Sequence, residues 1–322
     1  MACTALHGLS FCMPSRHWPR GAGLSAPAMS APRKVLSDAE IEHFITYGFV
    51  HLKACFPRSE GQALVASAFE RMQIDPHDPR TWKESKPKCE ATTVLDASEF
   101  APKAYGAICD LVGGEERLQR PVMWNDGFIV NLNWKADRWA PPSPASEGWH
   151  IDGGFFRHFL DSPEQAVLTL VIWSDIGPRM GGTFFAPDSI APVSRYLSAH
   201  PEGIDAHIPS HELIRECADF REATGEVGDV ILLHPFMLHS PAPNPSGVAR
   251  VISNPVEHLV APMCFDRPDA ADYSPTERAV LRALKADRHS FRPTRERRRT
   301  PSRKPEQFKL LEESRARRAR AS

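Results

Sequence analysis

His150-Ile151-Asp152 places an imidazole and a carboxylate two residues apart. On an extended strand such neighbours point to one face, so both can reach a single metal ion. A histidine from further along the chain would complete a set of two imidazoles and one carboxylate. That set covers one face of an octahedron and leaves three positions open, which suits an Fe(II) that must also bind a cosubstrate and O2. The pair alone is weak. With 14 His and 40 Asp+Glu in 322 residues, chance supplies about two His-x-acid pairs, and the chain has two. The other, His200-Pro201-Glu202, sits in a polar Ser-Ala-His-Pro-Glu-Gly stretch that reads as a loop.

The downstream segment adds weight. It runs Gly228-Asp229-Val230-Ile231-Leu232-Leu233-His234-Pro235-Phe236-Met237-Leu238-His239, then a Pro/Asn-rich turn, then Arg250-Val251-Ile252-Ser253. His234 and His239 both qualify as the third ligand; the alternative for His234 is a structural histidine beside the site. Arg250 offers a guanidinium fork matched to a carboxylate. Its apolar neighbours Val248, Val251 and Ile252 mark an inward-facing strand residue, against the alternative of a surface ion pair.

This segment resembles the phytanoyl-CoA dioxygenase family of Fe(II)/2-oxoglutarate oxygenases. So do Gly182-Thr183-Phe184-Phe185-Ala186-Pro187-Asp188-Ser189 and the opening from Leu36-Ser37-Asp38-Ala39-Glu40 to Gly48-Phe49-Val50. The resemblance spans roughly residues 36–260. It implies His150, Asp152 and His239 as iron ligands and Arg250 as the anchor for the far carboxylate of 2-oxoglutarate. It also implies a mainly β fold with flanking helices around a double-stranded β-helix (jelly-roll, cupin-like) core. The implied reaction consumes O2 and 2-oxoglutarate, releases succinate and CO2, and oxidises a small molecule. Asp152 favours hydroxylation over halogenation, because related halogenases lack that carboxylate. Asn131 is a further candidate for the cosubstrate. The competing readings are a ligand-binding or interaction protein of the same fold without turnover, and a metalloenzyme of that fold that uses no 2-oxoglutarate.

Several elements must hold these residues. Ser37 with Glu40 reads as a capping box ahead of a helical stripe Ile41, Phe44, Ile45, which Gly48 ends. A strand over 49–52 and a helix over 59–72 follow. Residues 73–95 are polar and Pro-rich, and Trp82, Lys83 and Lys86 in that loop are candidates to cover the site. Strands are expected at 128–132, 167–173, 183–185, 230–233 and 248–256, separated by Gly/Pro turns. Asn131 and Asn133 share a strand face, whereas Trp149 points away from His150 into the core. Phe155, Phe156, Arg157 and His158 line either a substrate mouth or a packed loop with a solvated Arg157. A helix begins at Ser274-Pro275-Thr276-Glu277, and Glu306–Arg320 has helical character.

Three segments are therefore expected: a leader over 1–35 that is disordered or a transit peptide, an oxygenase domain over 36–290, and a basic tail over 291–322. The leader is free of acid and carries Arg16, Arg20, Arg33 and Lys34. An intracellular location follows, cytoplasmic or organellar according to the leader. Seven scattered cysteines without a CxxC pair give no zinc ribbon. No run of eighteen apolar residues exists, so no membrane-spanning helix is expected. Residues 285–322 carry 14 Lys/Arg against 5 Asp/Glu, and the rest 25 against 35. The acidic body gives no electrostatic reason to bind nucleic acid, and the tail reads as a solvated segment. Sequence alone selects no substrate and no oligomeric state.

Overall fold

A computed structural model describes residues 35–205, 207–298 and 305–321. The leader, including the transit-peptide reading, lies outside the described residues apart from Val35. The chain begins with α1 (Asp38–Tyr47), β1 (Phe49–Leu52), α2 (Arg58–Met72), β2 (Val94–Asp96), α3 (Ala97–Phe100) and α4 (Pro102–Val112). It continues through β3 (Met123–Asn125), β4 (Ile129–Asn131), β5 (Arg157–His158), β6 (Leu168–Ile172), β7 (Thr183–Ala186), α5 (Ile190–Ser198) and β8 (Ile204–Asp205). The remainder is α6 (Ser210–Leu213), β9 (Arg221–Glu222), β10 (Val230–Leu233), β11 (Leu238–Pro241), β12 (Arg250–Ser253), α7 (Pro275–Leu284) and α8 (Pro305–Ala321).

The expected capping boxes form. Ser37 accepts from the Glu40 amide and Glu40 returns to Ser37, while Gly48, at φ 72°, closes α1 in the left-handed region. Ser274 and Glu277 do the same for α7, with Pro275 in its first turn.

The core is a two-sheet, double-stranded β-helix with flanking helices. Five antiparallel strands order as β1-β10-β6-β12-β4, and three as β11-β7-β9. Alternation along the strands assigns the faces. Leu168, Leu170 and Ile172 of β6, Ile231 and Leu233 of β10, and Ile252 of β12 cluster with Phe185 of β7 from the other sheet. The two sheets therefore face one another across these residues. Val171, Val230, Leu232 and Val251, on the opposite face of the large sheet, pack with Phe44 of α1, Ile108 and Leu111 of α4 and Val280 of α7. Among the described residues, no helix is long and apolar enough to cross a membrane.

The tail departs from the solvated reading. Pro305–Ala321 is a helix docked against β2: the Val94 amide donates to Ser314 Oγ, and Leu311 is buried. Arg315 reaches Asp96 at 3.0 Å and Glu99 at 2.7 Å, and Arg318 reaches Glu60 at 2.9 Å. Acidic groups of the body meet the basic helix, so a charge run that looked free in sequence is partly neutralised within the chain.

Candidate metal centre

His150, Asp152 and His239 converge, their ligand atoms all within 4.8 Å of one another. One carboxylate oxygen of Asp152 lies 3.5 Å from Nε2 of each histidine. The backbone brings the two histidines together directly. The His150 amide donates to the His239 carbonyl at 3.0 Å, and the His239 amide returns the bond at 2.9 Å. This corrects the expectation of a strand through 150–152, since only His150 makes a rung. Gly153, at φ +119°, then turns the chain out of the sheet; a Cβ there would sit 2.3 Å from the Phe156 ring and 2.7 Å from His158 Cε1. His239 is aligned with Phe185 across β11 and β7, so it shares the face that lines the gap between the sheets.

Each imidazole has its Nδ1 on a backbone carbonyl: His150 on Gly148 at 2.7 Å, and His239 on Met237 at 3.1 Å. Donation from Nδ1–H leaves the Nε2 lone pair free to ligate. His239 Nε2 is buried without a hydrogen-bond partner, an omission that costs free energy unless something fills it. His239 is 4% exposed, Asp152 27% and His150 43%, so the group opens to solvent on the His150 side. Burial opposes ionisation of Asp152, but the two facing imidazoles outweigh it and hold the carboxyl far below its usual range. Burial likewise lowers His150, yet Asp152 and the Gly148 carbonyl outweigh it and raise its pKa.

His234 stands elsewhere. It is fully buried, its Nδ1 accepts from the Phe236 amide at 3.1 Å, and its Nε2 faces the Thr276 carbonyl at 3.2 Å. Burial pushes its pKa down to about 3. Both nitrogens are committed to the fold. His200, of the second His-x-acid pair, packs its Nδ1 on the Tyr196 carbonyl and is not part of the converging group.

Arg250 is 2% exposed and lies two residues before Ile252, hence on the face that looks into the gap between the sheets. Its Nε donates to the Gly181 carbonyl at 2.6 Å and its Nη1 to the Ile129 carbonyl at 3.1 Å. No carboxylate pairs with it among the described residues. Burial pushes its pKa down to about 10. Gly181, at φ +71°, lies close against the neighbouring turn, where a Cβ would sit 2.7 Å from Asn244 Cβ and 2.8 Å from Asn131 Nδ2.

Asn131 differs from the expectation. It is aligned with Arg250 across β12 and β4, but its Oδ1 accepts from the Trp134 amide at 3.0 Å and its Nδ2 donates to the Ala242 carbonyl at 3.1 Å. It fastens the turn after β4, and Asn133 is exposed. Arg157 forks onto Asp205 at 2.9 and 3.0 Å, so it is neither solvated nor turned to a substrate. Trp149 is buried against Phe220, as expected.

Lys86 lies in the polar segment expected to cover the site. Its backbone neighbours lie along the β4 edge: Ser85 O accepts from the Leu132 amide, and Lys88 bridges Ile129. Its Nζ sits 3.5 Å over the Trp134 ring. Burial, then the charges of Arg250 and Lys135, push its pKa down to about 8. Lys135 is ion-paired with Glu147, whereas Lys86 has no acidic partner among the described residues.

No family model matches the chain, and no curated protein matches it in sequence. Solved structures do resemble it. One is the non-haem alpha ketoglutarate dependent carbocyclase SnoK from nogalamycin biosynthesis, 15% identical over 71% of this chain and 87% of that one, with a TM-score of 0.43. EctD from S. alaskensis, with 2-oxoglutarate and 5-hydroxyectoine, is 14% identical over 72% and 79%, with a TM-score of 0.43. HygX from Streptomyces hygroscopicus, with nickel and 2-oxoglutarate, is 13% identical over 70% and 88%, with a TM-score of 0.40.

Proposed function

We propose that this chain is a non-haem Fe(II)/2-oxoglutarate-dependent oxygenase of the phytanoyl-CoA dioxygenase-like kind, acting on a small molecule by hydroxylation. The observation that carries it is the pairing of an open His150/Asp152/His239 group with a buried, unpaired Arg250 facing the same gap between the sheets. The donor set fits iron: two imidazoles with Nδ1 on backbone carbonyls and Nε2 turned to the site, and one ionised carboxylate, with the buried His239 Nε2 left without a partner by the protein. Bound iron supplies the activation of O2 coupled to decarboxylation of 2-oxoglutarate. The chain supplies position. His150, Asp152 and His239 would hold the metal through the two Nε2 atoms and a carboxylate oxygen. Arg250 offers its remaining donors to the distal carboxylate, and Lys86 adds a second positive charge to the same neighbourhood. The rigid carbonyl contacts from Gly148 and Met237 fix the imidazole orientation before the metal arrives.

The test is Fe(II)-dependent release of succinate from 2-oxoglutarate, with and without candidate substrates, alongside metal content of His150→Ala. Succinate release that requires Fe(II), and loss of metal in the variant, are expected. Metal retained by His150→Ala, or no turnover with any substrate, leaves the binding-protein reading in its place. Metal-dependent chemistry without 2-oxoglutarate consumption favours the metalloenzyme reading.

A further inference from the structure

The basic run after residue 290 contains a segment that the proposed function does not use. Residues 294–297 lie across the chain that leaves the metal group. That chain turns at Gly153, where the Phe156 amide bonds the Gly153 carbonyl at 3.1 Å, and enters β5. β5 is two residues long and, among the described residues, its strand partner is the equally short β8. So short a two-stranded ladder is not stable by itself.

Side chains and backbone from 294–297 close it. The Thr294 amide donates to the Pro201 carbonyl at 2.8 Å, ahead of β8. Arg157 of β5, already forked onto Asp205 of β8, places Nη1 on the Glu296 carbonyl at 2.9 Å. Arg297 reaches Asp161 at 2.6 Å and stacks over the Phe159 ring, with 17% and 10% exposure for the two ionic side chains. A partly buried ion pair of this kind, joined through one nitrogen and one oxygen, is worth more than an exposed one.

These contacts lead back to Asp152. The rings of Phe156 and His158 flank β5 residue Arg157, pack against each other at 4.4 Å, and crowd the space above Gly153, the residue after Asp152. A strap that fixes β5 thereby fixes both rings and the exit of the chain from the metal group. We infer that residues 294–297 form an intramolecular strap in which Arg157 and Arg297 are positioning residues for Asp152. The strap itself stands on contacts within the chain; only its consequence for iron rests on the proposed function.

The experiment compares the full chain with its Arg157→Met and Arg297→Met variants in two measurements. Amide hydrogen exchange without metal is expected to rise at least tenfold across residues 153–159, with β6 and β10 unchanged. Anaerobic titration with Fe(II) alone is expected to show about tenfold weaker binding, the scale for groups that orient ligands. Arg157→Lys, which keeps a donor for the Asp205 carboxylate or the Glu296 carbonyl, should lose less than Arg157→Met in both measurements. Unchanged exchange at 153–159, or a rise spread equally over β6 and β10, overturns the strap. Local loosening with undiminished Fe(II) affinity overturns the positioning role. Absence of Fe(II) binding in the unmodified chain defeats the proposed function and with it the positioning role, while the exchange data still decide the strap.

Discussion

His234 and His239 are both buried, and their hydrogen bonds tell them apart. His234 bonds on both nitrogens, so His234→Ala opens a cavity and strands the Phe236 amide; about 2–4 kcal/mol of stability should be lost with Fe(II) still bound. His239→Ala removes an imidazole whose Nε2 has no partner, so the metal-free chain should lose less stability while Fe(II) binding disappears. Urea unfolding and metal content check both, and the reverse pattern would make His234 the ligand. Arg250 gives a second contrast. Arg250→Met should raise KM for 2-oxoglutarate by roughly 10–100-fold, the range for charge-assisted hydrogen bonds. It should cost little stability, because a buried cation without a counter-ion is itself unfavourable. A KM left unchanged rejects the anchor. Lys86 adds a pH dependence. Its pKa of about 8 means that the free protein loses this charge as pH rises through that value, so affinity for the dicarboxylate should fall above about pH 8. Lys86→Met should bind weakly at every pH without that fall, as KM measured against pH would show.

At the scale of elements, much of the architecture was legible. The capping boxes at Ser37 and Ser274, Gly48, and the apolar runs of β6 and β10 carry their structure locally, and all five form. His239 and Arg250 are marked by the family resemblance, and the fold brings both to the gap between the sheets, whereas nothing in the sequence marks Lys86 beyond its place in a long loop. Its position depends on residues 85–88 bonding along the β4 edge, a long-range pairing of a polar segment that no periodicity announces. The extent of the 150–152 strand was overread for a related reason: a single rung looks the same in sequence as a strand, and Gly153 sets the difference. α5 escaped notice because Pro192 interrupts its pattern. The acid Glu257, between β12 and α7, escaped as well. It is fully buried, accepts from Thr169 Oγ1 of β6 at 3.0 Å, and burial pushes its pKa up to about 8. The folded chain keeps this proton up to that pH, while the unfolded chain releases it near 4.5. The folded state thus binds the extra proton in between, and the contribution is complete below 4.5 and lost as pH rises through 8. Glu257→Gln should flatten this decline in unfolding midpoint across about pH 5 to 8.5. An unaltered slope would assign it to other groups.

Over the whole molecule, the opposite charges of body and tail meet within one chain. Arg315 with Asp96 and Glu99, Arg318 with Glu60, and Arg297 with Asp161 cover part of the acidic surface. The half-exposed pairs under α8 are open to screening, so raising salt from about 0.05 to 0.5 M should increase hydrogen exchange in α8 while leaving β6 protected. Equal protection at both concentrations would assign the docking to Leu311 and its apolar contacts. The mutual backbone bonds of His150 and His239 carry a consequence at this scale too. Two distant parts of the chain are already joined at the site, so folding, and not the metal, meets the entropy of closing that long loop. Metal uptake then becomes a local event with little rearrangement. Its contribution to stability should track occupancy alone, about 2.7 kcal/mol at a hundredfold excess over Kd, and the emptied protein should keep its shape and refill quickly.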